Sequence, residues 1–305
     1  MTLALLFPGQ GVQHAEMLPW LEADPQAAEV LARMARTLGS DWRTRLADDA
    51  WACENRVAQT LITGVGLAAW SALAPQLPVP AVVAGYSVGE LAACCAAGVF
   101  DADAALSLAQ QRAAAMDRCA AGVEQGLLAV SGACAPEIEA LCLRAGLSTA
   151  IRLGVERRVL GGTLDALRAV VPALAALGAE TRFLRVRLAS HTPAMAPAAR
   201  DFAAIVAPLP WRRAACVVIS DLDGVGRRDA ASLKQALAQQ IDHTVQWDRC
   251  MDAVAERRPR CVLELGPGTS LARLWAARCP ELPVRSVDEF RSAAAVVDWV
   301  RGTLA

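Results

Sequence analysis

Gly85, Ser87 and Gly89 form a G-x-S-x-G motif, the pattern that presents a nucleophilic serine in acyl-transfer and hydrolytic enzymes. The apolar run Ala81–Ala84 before it predicts a strand, and Val88–Ala97 after it predicts a helix. Glycines on both sides let the chain turn sharply, so the hydroxyl stands clear of the sheet. The first N–H of the helix would then point at a developing oxyanion. A purely structural turn would have the same sequence, but the context favours a nucleophile.

A serine nucleophile needs a neighbouring base, and the chain has three histidines. His191 stands in Ala-Ser-His-Thr-Pro, a predicted loop just after a strand, where catalytic groups are common. His14 follows an N-terminal turn, and His243 adjoins Asp242. These patterns favour His191 and leave the other two open.

Two further polar residues have positions that suit binding. Gln10 lies between two glycines directly after the predicted strand Leu3–Phe7, so its backbone can approach a ligand and supply a second oxyanion donor. A tight structural turn is the alternative. Arg112 lies on the predicted helix Ala102–Cys119, and a guanidinium can bind a carboxylate through two hydrogen bonds. Because 29 of the 30 basic residues are arginines, a solvated position on the helix surface is the favoured interpretation when Arg112 is taken alone.

The elements that position these residues follow an α/β pattern. Strands and helices alternate over residues 1–120 and again over 188–305, which predicts one large domain with a parallel sheet. Residues 121–187 read β-α-β-β-α-β, ending in an alternating strand predicted at Thr181–Leu188. That order is typical of a ferredoxin-like lobe. We therefore expect a large α/β domain with a small inserted lobe.

Composition excludes several classes of protein. With 305 residues, 55% of them hydrophobic, and a net charge of −1, the chain is neither disordered nor built mainly to bind nucleic acid. Lys234 is its only lysine, which argues against a phosphate-loop enzyme. None of the ten cysteines forms a C-x-x-C pair, so we expect no metal site, and free thiols suit a cytoplasmic protein. Neither a signal peptide nor a membrane helix is expected.

Together these motifs resemble the malonyl-CoA:acyl-carrier-protein transacylase family. The resemblance covers nearly the whole chain in the family's order and spacing. Its segments are Phe-Pro-Gly-Gln-Gly (7–11), Gly-Tyr-Ser-Val-Gly-Glu (85–90), Gln-Arg-Ala-Ala-Ala-Met (111–116), Ala-Ser-His-Thr-Pro (189–193), Val-Gln-Trp (245–247) and Glu-Leu-Gly-Pro-Gly (264–268). It implies an α/β-hydrolase-like domain with a ferredoxin-like insert. It also implies an acyltransferase that moves a malonyl group from malonyl-CoA to the thiol of an acyl-carrier protein.

The resemblance also implies catalytic roles. Ser87 would be the nucleophile and His191 the general base, oriented by the backbone carbonyl of Gln240. The N–H groups of Gln10 and Val88 would form the oxyanion hole.

Substrate binding is implied in the same way. Arg112 would hold the free carboxylate of the malonyl group, and Gln59 would line the site. No tightly bound cofactor is implied. Malonyl-CoA would be the donor substrate, and the prosthetic thiol of the carrier protein would be the acceptor.

Some positions depart from the family pattern. Tyr86 replaces the histidine that commonly precedes the serine, and the segments Ile151–Val155 and Leu160–Gly162 lack polar residues common in the small lobe. The Tyr86 variant and the segment Val284–Ser292 most resemble the transacylase (epsilon) subunit of malonate decarboxylase, whose carrier bears a dephospho-CoA-type thiol. The alternative is the transacylase of fatty-acid synthesis.

Two readings from other classes remain open. A serine thioesterase or esterase would require an acidic third member of a triad, for which Asp242 is the nearest residue in sequence. A non-catalytic docking subunit would bind a carrier protein without using Ser87.

Overall fold

Eleven strands form in residues 2–305, the part of the chain that the computed structural model describes; Met1 lies outside it. They are β1 (Leu3–Phe7), β2 (Val82–Gly85), β3 (Gln125–Ser131), β4 (Ser148–Arg152), β5 (Arg157–Thr163), β6 (Glu180–Phe183), β7 (Val217–Ile219), β8 (Gly226–Arg227), β9 (Val245–Gln246), β10 (Cys261–Glu264) and β11 (Val284–Ser286).

The same residues form thirteen α-helices and three short 3-10 turns. The helices are α1 (Pro25–Leu38), α2 (Trp42–Arg45), α3 (Asp49–Ala52), α4 (Asn55–Leu73), α5 (Gly89–Ala96), α6 (Ala102–Ala120), α7 (Ala135–Ala145), α8 (Leu164–Ala176), α9 (Ala196–Val206), α10 (Ala230–Gln239), α11 (Trp247–Ala255), α12 (Ser270–Arg278) and α13 (Ala293–Leu304). Within residues 2–305, no helix has the length and apolarity needed to cross a membrane.

The larger sheet has the strand order β11-β10-β1-β2-β7-β8. All neighbours in it are parallel except β8, which runs antiparallel to β7. Every residue of β1 is buried, as expected for a central parallel strand covered on both faces. The carboxyl ends of β1, β2 and β7 lie side by side, so the loops that follow them meet at one edge, where ligands bind in open α/β sheets.

The smaller sheet has the order β6-β3-β5-β4-β9. Its first four strands are antiparallel neighbours and, with α7 and α8, give the predicted ferredoxin-like β-α-β-β-α-β arrangement around a separate small core. The short strand β9 joins later, parallel to β4, from chain beyond residue 187. The predicted fold class is thus confirmed, whereas the division of the chain at residues 120/121 and 187/188 stays a prediction.

One predicted strand is shorter than expected. The alternating segment Thr181–Leu188 pairs as a strand only over Glu180–Phe183. Beyond it the chain leaves the smaller sheet, and Val186 and Leu188 pack into the main core. Their apolar alternation therefore reflects an extended connection packed into the main core.

Candidate active site

The G-x-S-x-G segment forms the sharp turn that its glycines predict. β2 ends at Gly85 and α5 begins at Gly89, and the backbone of Ser87 is left-handed, with φ of 55°. A Cβ at Gly85 would lie 2.1 Å from the backbone nitrogen of Glu90, and one at Gly89 would lie 2.3 Å from the carbonyl oxygen of Phe7. Neither position has room for a side chain, so the turn requires both glycines.

Three of the predicted residues form a hydrogen-bonded series. Ser87 Oγ lies 2.7 Å from His191 Nε2, and His191 Nδ1 lies 2.6 Å from the carbonyl oxygen of Gln240. Because a carbonyl oxygen can only accept, Nδ1 carries the ring proton and Nε2 accepts from the serine hydroxyl. The backbone N–H of His191 also donates to Ile241 O at 2.8 Å, which fixes the loop that carries the ring. This arrangement can deprotonate a serine.

The other two histidines lie elsewhere. His14 Nε2 is 2.7 Å from a carboxylate oxygen of Asp288, and His243 Nδ1 is 2.7 Å from one of Asp242; both rings are exposed. Asp242 therefore contacts His243, while the orienting partner of His191 is a backbone carbonyl. A serine-protease-like triad through Asp242 is not formed.

The His191 ring is held in its neutral form. It is 2% exposed, and this burial lowers its pKa to about 3, with the positive charge of Arg112 acting in the same direction. The hydrogen bond to Gln240 opposes the shift, because it favours the protonated ring. At neutral pH the ring is thus free to accept a proton.

Arg112 places a buried cation beside the serine. Its side chain, on α6, is 1% exposed. Nη1 donates to Gln59 Oε1 at 2.8 Å, and Nη2 donates to Gln240 Oε1 at 2.9 Å and to Ser87 Oγ at 3.3 Å. Gln59 is itself fully buried on α4 and donates to Asn55 Oδ1 at 2.7 Å. The surface interpretation of this arginine is wrong, because helices α4 and α6 pack together around it.

The charge of Arg112 persists despite its burial. Loss of solvation lowers its pKa to about 10, while the nearby carboxylates of Asp221 and Glu90 raise it. The guanidinium therefore stays protonated at neutral pH, and its Nε has no acceptor within residues 2–305. A buried cation with spare donor capacity suits an anionic group on a ligand.

The two predicted oxyanion donors lie in the segments that follow two neighbouring strands, β1 and β2. Val88 lies at the start of α5, and Gln10 follows β1 in a turn that packs against Tyr86, whose N–H donates to Phe7 O at 2.9 Å. Neither the Val88 nor the Gln10 backbone N–H donates to a protein atom in the described chain. Both remain available to a ligand.

Two buried acidic residues near Ser87 were not predicted from the sequence. Asp221 Oδ2 accepts the Ser87 N–H at 2.6 Å, and Glu90 Oε1 accepts the Asp221 N–H at 2.8 Å. Burial raises the pKa of Glu90 to about 7 and that of Asp221 well above its ordinary value. The signal for Asp221 was its place two residues after an apolar run, Val217–Ile219, that forms a strand next to β2.

A cleft of about 710 Å³ lies between the loops of the larger sheet and the strands of the smaller one. Gln10 and Tyr86, the residue before Ser87, are among its lining residues, and the Tyr86 ring packs edge-on against Trp247 with centroids 5.2 Å apart. Four exposed arginines also line it, among apolar side chains: Arg157, Arg182, Arg185 and Arg273. Within residues 2–305 only Arg185 has a carboxylate partner, Asp49 at 3.0 Å. The cleft is therefore suited to anions.

A metal centre is not found in this part of the chain: residues 2–305 contain no group of three or more histidine, cysteine or acidic side chains placed to hold an ion.

Comparison with known proteins identifies the family. A sequence profile described as the acyl transferase domain matches residues 4–304. A curated relative, malonyl CoA-acyl carrier protein transacylase of Mycobacterium tuberculosis, is 34% identical over 292 residues, which cover 93% of this chain and 96% of the relative. The chain belongs to the malonyl-CoA:acyl-carrier-protein transacylase family.

Solved structures of other transacylases agree with this membership. A malonyl-CoA:acyl carrier protein transacylase of Xanthomonas oryzae has a TM-score of 0.90 at 29% identity and covers 98% of this chain and 99% of its own. An acyl-carrier-protein S-malonyltransferase of Burkholderia pseudomallei also has a TM-score of 0.90, at 26% identity, covering 98% of this chain and 100% of its own. This transacylase therefore shares the fold of these two enzymes over 98% of its chain.

Proposed function

We propose that this transacylase moves a malonyl group from malonyl-CoA to the thiol of an acyl-carrier protein through a malonyl ester on Ser87. The observation that carries the proposal is the placement of Ser87 Oγ, 2.7 Å from His191 Nε2 and 3.3 Å from Arg112 Nη2. One neighbour can take the proton from the hydroxyl, and the other can bind a carboxylate. No tightly bound cofactor takes part.

In the first half-reaction, the Ser87 hydroxyl gives its proton to His191 Nε2 while Oγ attacks the thioester carbonyl carbon. The N–H groups of Gln10 and Val88 bind the oxyanion of the tetrahedral intermediate, and losing one such donor typically costs about 10²–10³ in rate. The C–S bond then breaks, and the departing CoA sulfur takes the proton from His191. The product is malonyl-Ser87.

The second half-reaction reverses these steps with another thiol. The carrier thiol gives its proton to His191, its sulfur attacks the ester carbonyl of malonyl-Ser87, and the C–O bond breaks. The proton then returns to Ser87 Oγ. The Gln240 carbonyl holds the ring in the same tautomer throughout and stabilises the transient imidazolium.

Arg112 makes the site selective for a short diacid. A malonyl group has its carboxylate only one methylene from the thioester carbonyl, so the carboxylate must bind close to the attacking oxygen. The 3.3 Å between Arg112 Nη2 and Ser87 Oγ fits that spacing. Gln59 holds the other end of the guanidinium. An acetyl group would leave this buried cation unpaired, which disfavours it.

Substrate binding also activates the base. The charge of Arg112 is one cause of the low pKa of His191. When the malonyl carboxylate pairs with Arg112, that charge is neutralised and the pKa of His191 rises. The base therefore becomes stronger when the correct acyl group is in place.

The arginine-lined cleft supports an anionic carrier of the acyl group. Its lining includes Gln10 and Tyr86, which precedes Ser87 in the chain, together with Arg157, Arg182 and Arg273. Coenzyme A and the prosthetic arms of carrier proteins are thiols attached to phosphates, which guanidinium groups bind well. We assign the phosphates of both arms to this cleft.

For the carrier itself, we propose the malonate decarboxylase carrier subunit, whose arm is of the dephospho-CoA type. Support comes from the resemblance of Gly-Tyr-Ser-Val-Gly-Glu and of Val284–Ser292 to that system. The alternative is an ordinary phosphopantetheine carrier of fatty-acid synthesis, in keeping with the curated relatives. The ten cysteines are all free, which suits a reducing cytoplasm.

The test follows labelled malonyl from malonyl-CoA in the presence of each carrier, with Ser87→Ala as the control. We expect transfer to a carrier thiol, faster to the decarboxylase carrier, and none with the variant. Release of free malonate without transfer would indicate a hydrolase and overturn the proposal. Faster transfer to the phosphopantetheine carrier would overturn only the assignment of the carrier.

A further inference from the structure

Both peptide groups that flank Ser87 are held by buried side chains. The Ser87 N–H donates to Asp221 Oδ2 at 2.6 Å, and the Ser87 carbonyl accepts from Gln240 Nε2 at 3.0 Å. The same Gln240 nitrogen lies 3.3 Å from Glu90 Oε2, and Glu90 Oε1 accepts the Asp221 N–H at 2.8 Å. Ser87, Asp221, Glu90 and Gln240 thus form a closed ring of hydrogen bonds, here called the Asp221 ring.

The Asp221 ring determines where the groups around the serine point. Because a trans peptide is planar, its C=O and N–H point in opposite directions. Holding the Ser87 carbonyl with Gln240 therefore fixes the direction of the Val88 N–H, the oxyanion donor. Holding the Ser87 N–H with Asp221 fixes the preceding peptide and the left-handed φ of 55°. Non-glycine residues keep such a conformation only where their surroundings enforce it.

Through Gln240, the Asp221 ring also contacts His191 and Arg112. The carbonyl of Gln240 orients His191, and its side-chain oxygen accepts from Arg112 at 2.9 Å. A shift of Gln240 would therefore move the base, the cation and the serine together.

Burying the polar side chain of Asp221 costs free energy that packing alone would not recover. It is 0% exposed, and its Oδ1 has no hydrogen-bond partner within residues 2–305. Apolar residues of similar volume often replace buried ion pairs without loss of stability. An acidic side chain kept in this setting indicates a task that needs its acceptor oxygen.

We infer that Asp221 is a positioning residue for acyl transfer, which acts through the Ser87 N–H and the Asp221 ring to aim Ser87 Oγ and the Val88 N–H at the thioester. This inference rests on the proposed function. It requires an acceptor at position 221, which an asparagine also provides.

The test measures the rate constant and the end point of malonyl-enzyme formation for Asp221→Ala, Asp221→Leu and Asp221→Asn. Asp221→Leu fills the volume of the aspartate side chain without providing a hydrogen-bond acceptor. It therefore controls for any effect of the cavity that the alanine variant would leave. Asp223→Ala is the matched control, since Asp223 lies in the same loop but pairs with Arg227 at 2.7 Å.

We expect the alanine and leucine variants to be malonylated about tenfold to a hundredfold more slowly, which is less than the loss of a whole oxyanion donor. The half-saturating concentration of malonyl-CoA should be unchanged. One equivalent of malonyl per chain should still be reached, because folded enzyme with a misaligned serine reacts slowly but completely. Unfolded enzyme would instead lower the end point, because it does not react. Asp221→Asn should stay within about threefold of the parent rate. Asp223→Ala should match the parent.

Parental rates in the alanine and leucine variants would overturn the inference. So would an asparagine variant as slow as they are, or a loss confined to the end point. A serine-directed fluorophosphonate probe is used in parallel. If it labels Ser87 but malonyl-CoA does not, the proposed function fails, and the rates of labelling still test the role of Asp221.

Discussion

At the scale of single residues, the Ser87 hydroxyl makes two hydrogen bonds, one as donor and one as acceptor. It donates to a neutral imidazole and accepts from a guanidinium, within 2.7 Å and 3.3 Å. Both partners are buried, so solvent does not screen them. Burial keeps the imidazole neutral by lowering its pKa, and the charge of Arg112 acts in the same direction.

The protonation of His191 is directly measurable. A histidine of ordinary pKa, about 6.5, is about nine-tenths protonated at pH 5.5. Because the pKa of His191 is lowered to about 3, its neutral form should persist at this pH. We expect the ring ¹⁵N chemical shifts of His191 to remain those of the Nδ1–H tautomer at pH 5.5. His191→Ala identifies the signals, and a cationic ring would contradict the account.

Arg112 should determine the choice between malonyl and acetyl groups. Removing one partner of a buried, hydrogen-bonded charge pair costs about 2–5 kcal/mol, so Arg112→Ala should lower the malonyl-to-acetyl ratio of acylation rates by about a hundredfold. Arg112→Lys should give an intermediate ratio, because it keeps the charge but loses the fork of donors. The ratio is insensitive to the fraction of folded enzyme. If Arg112→Ala kept the malonyl preference, Arg112 would not be the clamp.

At the scale of elements, the turn between β2 and α5 controls the geometry, and it is the part best predicted from sequence. The glycine spacing and the apolar run before it are local signals. They depend on a few neighbouring residues, so they could be identified without the fold.

Other elements depend on tertiary contacts that the sequence does not display. Thr181–Leu188 alternates like a strand, but Val186 and Leu188 face the main core. Asp221 acquires its function only because β7 pairs with β2, which brings together residues 134 positions apart. The side chain of Gln240 was overlooked for the same reason, although its backbone role was expected from the family resemblance.

The turn offers a prediction of its own. A Cβ at Gly89 would clash with the Phe7 carbonyl at 2.3 Å, so Gly89→Ala should lower the free energy of unfolding by about 2–4 kcal/mol and abolish acylation. The matched control is Gly302→Ala, on α13, where nothing lies within 4 Å of the new Cβ. It should change stability by at most about 1 kcal/mol, in the stabilising direction. Denaturant unfolding and acylation rates together check both; an active Gly89→Ala enzyme would contradict this view of the turn.

At the scale of the whole molecule, the two sheets together form the arginine-lined cleft. The loops of the larger sheet contribute Gln10 and Tyr86, while the smaller sheet contributes Arg157 and Arg182. Strand β9 connects the two, since it pairs with β4 and leads directly into α11 of the larger unit. The family resemblance predicted both units, but not that Arg157, Arg182 and Arg273 of the cleft would have no carboxylate partner within residues 2–305.

Charge reversal in the cleft should weaken binding of the phosphate-bearing part of malonyl-CoA. Arg157→Glu and Arg182→Glu should each raise the half-saturating concentration of malonyl-CoA by about tenfold at low salt, and the difference should shrink as salt increases. Arg168→Glu is the control, because the Arg168 side chain is exposed on α8 of the same lobe and does not line the cleft. It should have little effect. Equal effects of all three substitutions would indicate net charge alone and contradict a specific phosphate path.

The central claim is that a malonyl ester forms on Ser87. Intact-protein mass spectrometry after brief incubation with malonyl-CoA, followed by peptide mapping, tests it most directly. The account predicts one malonyl group per chain, located on Ser87, absent from Ser87→Ala and removed when carrier thiol is added. A malonyl group on another residue, or one that persists in Ser87→Ala, would contradict it.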